Sequence, residues 1–204
     1  KGIRSQAAMH PDGTIPVSRA RPIEGVYVND MFQQGFSHLE SRNLSFEAWC
    51  YHPQLPQLIE LAKKFPNTSI ILNHFGGPLG VGSFSNKEDE TYNFWEKQII
   101  ELSKCENVVA KLGGIAMEIN GFDWHKNNSA PSGNELINRT KRYYDKTLEL
   151  FGINRCMFES NFPVDKISCS YVNLWNGFKG LTKDYSKSER AKLFHDNATR
   201  TYKL

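Results

Sequence analysis

The chain has 204 residues, 39% of them hydrophobic, with 25 Lys and Arg against 22 Asp and Glu for a formal net charge of +3. That apolar fraction supports one sizeable core, while interspersed charges without a dense basic tract argue against a nucleic-acid partner. No apolar run approaches the roughly 20 residues of a membrane span. Cys50, Cys105, Cys156 and Cys169 show no Cys-x-x-Cys spacing and read as free buried thiols of a reducing compartment.

In chain order, Gly2-Ile3-Arg4 is a strand-like run that breaks into a long polar loop. Apolar residues three and four apart then predict a helix over 28–41. A strand at 44–51 ends in His52-Pro53 and is followed by a helix over 54–65, with Leu55, Leu58, Ile59 and Ala62 on one face. The run 69–78 (Ser-Ile-Ile-Leu-Asn-His-Phe-Gly-Gly-Pro) is a third strand, which delivers His74 into a glycine-proline turn. A helix over 92–104, a strand at 108–112 ending in Gly113-Gly114, a helix over 133–151 and a strand at 156–160 follow. The chain closes with helices over 171–178 and 186–195, the latter opened by the capping box Ser186-Lys187-Ser188-Glu189. Strands alternating with helices predict a parallel α/β sheet of about five strands. In such folds, ligands and catalytic groups gather beyond the C-terminal ends of the strands, and His74 sits at one of those ends.

Several motifs in order resemble the amidohydrolase-related family of TIM-barrel hydrolases. They are Gly2-Ile3-Arg4, Leu55-Pro56-Gln57-Leu58, Leu72-Asn73-His74-Phe75-Gly76-Gly77-Pro78, Ala110-Lys111-Leu112-Gly113-Gly114, the segment from Met157 to Asp165, and Asp196-Asn197-Ala198 with Tyr202. The branch most similar holds sugar lactonases and 2-pyrone-4,6-dicarboxylate lactonase. The resemblance covers nearly all of residues 1–204 as one domain, apart from loops at 6–26 and 117–132. It implies an (β/α)8 barrel of which this chain carries strands four to eight, with the first three strands upstream of Lys1. It also implies an upstream His-x-His pair, which these residues lack, so the 204-residue chain by itself is expected to be inactive and to expose unpaired edges on its first and last strands.

By that resemblance His74 is a site histidine. Imidazole binds a metal or polarises a carbonyl near neutral pH, and Gly76 and Gly77 let backbone approach a ligand. The family's strand-end aspartate is replaced here by Asn161, and an amide orients a water but cannot take its proton. Asp165 and Glu159 are the candidate replacement acids. Strand alternation puts Glu159 on the face of Asn161, where it either serves the mouth or pairs with Arg4 as a buried charge needs. Arg4 suits an anionic or hydroxyl-rich substrate. Glu47, Trp49 and Tyr51 share one face of their strand, with Trp49 and Tyr51 as pocket walls or simple packing. Lys111, inside an apolar run, reads mainly as the partner of a buried acid. Phe122, Trp124 and His125 lie on a long loop that serves as a lid or as an exposed insertion.

The implied activity is a hydrolase opening a lactone of a small carboxylated or hydroxylated substrate in cytoplasmic catabolism. A metal-dependent non-oxidative decarboxylase and an inactive small-acid-binding barrel are the alternatives. The implied cofactor is one divalent metal, zinc or manganese, held by His74 with upstream histidines; metal-free chemistry stays open, as does self-association.

Overall fold

Each apolar run that ends in turn residues forms a strand in the computed structural model, which describes residues 1–17 and 23–204. The strands are β1 (Gly2–Gln6), β2 (Ser45–Trp49), β3 (Ile70–Leu72), β4 (Val108–Leu112) and β5 (Cys156–Phe158). They form one sheet in the order β1-β2-β3-β4-β5, every neighbour parallel. The connections carry α1 (Asp30–Phe36), α2 (His38–Ser41), α3 (Leu55–Lys64), α4 (Glu88–Ser103), α5 (Gly133–Phe151) and α6 (Tyr171–Leu181), and α7 (Lys187–Ala191) and α8 (Asn197–Tyr202) close the chain. This is the repeated β/α arrangement of a barrel-like α/β protein. Of the polar loop at 6–26, residues 18–22 lie outside the described residues.

Register and alternation sort the strand residues into two faces. Arg4, Glu47, Ile71 and Val109 are aligned across four strands, and Lys111 is aligned with Met157. The opposite face carries Phe46, Ala48, Ile70, Leu72, Val108, Ala110, Leu112, Cys156 and Phe158, which pack with the helices into the main core. Ile71 and Met157, though buried, belong to the other side and are absent from that cluster.

Several helices differ from their predicted extent: α4 begins at Glu88 rather than at 92, and α6 runs on to Leu181. The stretch expected as one helix over 28–41 is split into α1 and α2 at Ser37. Gly35 is a weak helix former, and the Ser37 hydroxyl donates to the Gln34 carbonyl at 2.7 Å, competing with the helical ladder. The Ser186 capping box forms as predicted, its hydroxyl accepting from the Glu189 amide. The helix it opens does not stop at His195, however; it passes through a π turn (Lys192–Asp196) into α8. That continuation turns Asn197 inward, where its side-chain amide donates to the carbonyls of Ile153 (2.6 Å) and Cys156 (2.8 Å) and so caps β5.

On the opposite edge of the sheet, β1 is largely exposed, with Ile3 at 49%. All four cysteines are buried and free, as expected. Burial pushes the thiols of Cys50, Cys156 and Cys169 up to about 12, which leaves them inert. Among the described residues no helix is long and apolar enough to cross a membrane.

Candidate active site

His74 follows β3 by two residues and adopts a left-handed backbone, φ 52°, as does Phe75 at φ 57°. Non-glycine residues rarely hold that conformation, and where they do they cluster at functional sites. The ring is 4% exposed and stands edge-on to Trp49, with centroids 4.8 Å apart at 77°. Nδ1 lies 2.6 Å from Glu159 Oε1. The contact is electrostatic more than an aligned hydrogen bond, since neither atom has a well-directed partner. A carboxylate at Nδ1 favours the proton there, which leaves Nε2 as the acceptor, 3.5 Å from Arg4 Nη2.

The glycines that make this contact possible are Gly113 and Gly114. A Cβ on Gly114, at φ +73°, would stand 2.3 Å from His74 Nδ1, and one on Gly113 would stand 2.1 Å from the Glu159 carbonyl oxygen. Gly76 and Gly77, expected to admit a ligand, instead give room to Leu55 and to Cys50, Tyr51 and Trp49. The physical reason is that the positive-φ turn after His74 folds that loop back onto β2 and α3.

Glu159 does not pair with Arg4. Its second oxygen, Oε2, meets Lys111 Nζ at 2.9 Å, and Lys111 also lies 3.6 Å from Glu47 Oε1. Arg4 pairs with Glu47 Oε2 at 3.7 Å, because the parallel register sets those two residues side by side on β1 and β2. Lys111 thus pairs with acids, as expected, but both are part-buried rather than buried. Burial alone would raise the Glu159 carboxyl, but His74 and Lys111 hold it down at about 2. From below, the Tyr202 hydroxyl donates to Glu47 Oε1 at 2.5 Å, so α8 does more than pack.

Asn161 and Asp165 form a second polar unit. Asn161 is also left-handed, φ 53°, and its Nδ2 donates to Asp165 Oδ1 at 2.6 Å. That turn interrupts the strand alternation by which Asn161 would simply share the face of Glu159. Asp165 is fully buried and accepts a further bond from the Ala116 amide at 3.4 Å. Burial, against these two donors, pushes its carboxyl up to about 7. Tyr51 is buried 5.8 Å from the Trp49 ring, with its hydroxyl donating to the Pro16 carbonyl at 2.5 Å. The 117–132 loop is tied down: Asn120 Nδ2 donates to the Pro78 carbonyl at 2.7 Å, and Phe122 stacks on Trp124 under Arg139. Two clefts, one beside His52 and Phe84 and another beside Trp124 and Phe162, do not include His74 in their walls.

Among the described residues no three His, Cys, Asp or Glu side chains could hold a metal ion together. His74 Nδ1 is occupied by Glu159, and the Arg4 guanidinium beside Nε2 opposes a second cation at the nitrogen that would bind it. The donors present do not fit a metal by themselves.

Fold and site together define a parallel α/β protein of repeated, barrel-like β/α units, with a histidine-glutamate pair at its strand ends. The amidohydrolase family model matches residues 1–204, and the chain belongs to that family. An uncharacterized protein of Sinorhizobium fredii is 34% identical over 211 residues, covering 100% of this chain and 61% of the relative. An L-fucono-1,5-lactonase of Burkholderia multivorans is 26% identical over 180 residues, covering 87% of this chain and 58% of the relative. A crystal structure of an amidohydrolase from Burkholderia multivorans with bound HEPES superposes with TM-score 0.81 at 22% identity, over 100% of this chain and 64% of that one; a second crystal form, TM-score 0.80, holds zinc. The chain thus spans about three fifths of the length of the relatives it matches.

Signals for Lys111 and the Gly113-Gly114 pair were present in the sequence, as a cation within an apolar strand and a double glycine at its end. Their shared target, the His74–Glu159 pair, required the register.

Proposed function

We propose that the intact protein hydrolyses a lactone, a sugar lactone or pyrone-type cyclic ester of a small carboxylated or hydroxylated substrate. The observation that carries this reading is the His74–Glu159 pair at the end of β3 and β5 with Arg4 beside the free imidazole nitrogen; the similarity to a lactonase supports it. His74 Nε2 takes a proton from water as the oxygen adds to the lactone carbonyl, and Glu159 stabilises the imidazolium. Arg4, partly exposed, faces the developing oxyanion or the carboxylate of the substrate. Collapse of the adduct breaks the ring C–O bond, and the imidazolium returns its proton to the leaving oxygen. Asn161, anchored by Asp165, orients the water, and Trp49 walls the ring.

The test is hydrolysis of a panel of sugar and pyrone lactones, including L-fucono-1,5-lactone, by the intact protein with and without chelator. His74→Ala is expected to lower kcat by about 10²–10⁴. Full activity in a folded His74→Ala protein would sink the reading, and loss of activity with chelator would mean that donors outside the described residues bring a metal.

A further inference from the structure

Lys111 is placed to do something other than hold the sheet together. Its strand, β4, is otherwise Val-Val-Ala-Leu, and it projects from the face opposite the helices. Its side chain is 10% exposed, and Nζ stands between two carboxylates, 2.9 Å from Glu159 and 3.6 Å from Glu47. Glu159 divides its oxygens, Oε2 to Lys111 and Oε1 to His74. A carboxylate that touched His74 alone would be free to rotate about its last torsion, and among the described residues Lys111 is the side chain that pairs with Oε2. Gly113 leaves the space on the remaining side, where a Cβ would stand 2.1 Å from the Glu159 carbonyl oxygen and 2.6 Å from its Cγ.

We propose that Lys111 is a positioning residue: it locks the Glu159 carboxylate in the orientation that holds the His74 proton on Nδ1 and leaves Nε2 free to act. The inference rests on the reading of His74 as the base. Glu47 completes the arrangement from the other side, itself held by Arg4 and Tyr202. An ammonium between two part-buried acids also separates charges that would otherwise repel across the inner face.

The test uses the intact protein with Lys111→Met, which keeps the length and apolar stem but removes the charge, and Lys111→Arg, which restores it. Hydrolysis of the most reactive lactone of the panel is expected to lose about tenfold to 100-fold in kcat in Lys111→Met, with KM little changed, and to recover in Lys111→Arg. A second readout needs no turnover: the imidazole ¹⁵N spectrum of His74 is expected to show the Nδ1–H tautomer in the parent and in Lys111→Arg, and a tautomer mixture in Lys111→Met. Should Lys111→Met not fold, Lys111→Gln carries both measurements. An unchanged kcat and tautomer in a folded charge-free variant would overturn the proposal, as would a rise in KM alone, which marks substrate binding. If no lactone is hydrolysed, the lactonase reading fails, while the ¹⁵N spectrum still decides whether Lys111 positions His74.

Discussion

On the helix side of the sheet, Phe46, Ala48, Ile70, Leu72, Val108, Ala110 and Cys156 are all completely buried, without a polar atom among their side chains except one thiol. On the other side the same five strands and their ends carry Arg4, Glu47, Lys111, Glu159 and His74 in a continuous set of contacts. The first face is what hydrophobic burial builds. The second is costly, since replacing a buried ion network by apolar residues is often neutral or stabilising. On the function proposed above, the four charges of this face serve chemistry, and substitutions on the two faces should separate accordingly.

The largest effect belongs to the apolar face. Phe46 is fully buried and packs against the rings of Phe36, Tyr27 and Phe32 at 5.0, 6.1 and 5.8 Å. Phe46→Ala is expected to cost about 3–5 kcal/mol in urea unfolding while leaving KM close to that of the parent. A variant as stable as the parent but with impaired catalysis would break the division between faces.

Asp165 comes next and sharpens the contrast, because among the described residues this buried acid has no cationic partner. With its carboxyl raised from 3.8 to about 7 by burial, the folded state holds a proton that the unfolded chain releases. Stability attributable to it is therefore full below about pH 4 and falls as pH rises towards 7, by about 4 kcal/mol at the most. Asp165→Asn is expected to flatten that fall, as measured by unfolding midpoints across the interval. An unaltered pH profile would show that Asn161 and the Ala116 amide satisfy the ionised form fully.

A third experiment separates backbone strain from the contact it serves. Gly114 and Gly25 share a similar left-handed φ, +73° and +65°, yet a Cβ on Gly114 would strike His74, and one on Gly25 would meet only Val28 Cγ2, at an ordinary 3.5 Å. Both alanine variants pay about 1–2 kcal/mol for the backbone. Only Gly114→Ala should also displace the imidazole, with a loss of about 100-fold in kcat/KM. Equal losses in the two variants would refute the claim that Gly114 exists to admit His74.

Much of this division was legible in the sequence. The five strands, their parallel order and the helix over Gly133–Phe151 follow from apolar periodicity and capping residues. His74 was legible because it stands where a strand meets a glycine-proline turn. Who pairs with whom was not, since it depends on register between strands far apart in sequence: Arg4 lies beside Glu47 only because β1 and β2 align there. Left-handed turns at His74 and Asn161 also rotate side chains off the faces that simple alternation assigns. Backbone geometry of that kind leaves no trace in a pattern of apolar and polar residues, and the splitting of 28–41 at Gly35 and Ser37 is a milder case of the same limit.

Tyr202 offers the smallest and most discriminating test. It comes from α8, at the other end of the sequence from β1, and its hydroxyl reaches the charged face 2.5 Å from Glu47 Oε1. Burial, with Glu47 beside it, raises the phenol well above its ordinary range, so it is a neutral donor at any pH the protein meets. Tyr202→Phe removes one hydrogen bond to a carboxylate that keeps Arg4 and Lys111, which predicts a loss of about 1–2 kcal/mol in unfolding and at most a few-fold change in kcat. Counted through Glu159, Glu47 stands one contact beyond Lys111, and a network that positions the Glu159 carboxylate by direct contact should weaken at each step. A Tyr202→Phe variant that lost as much kcat as Lys111→Met would mean that the charged face moves as one body, and the separate role given to Lys111 would then dissolve into the network as a whole.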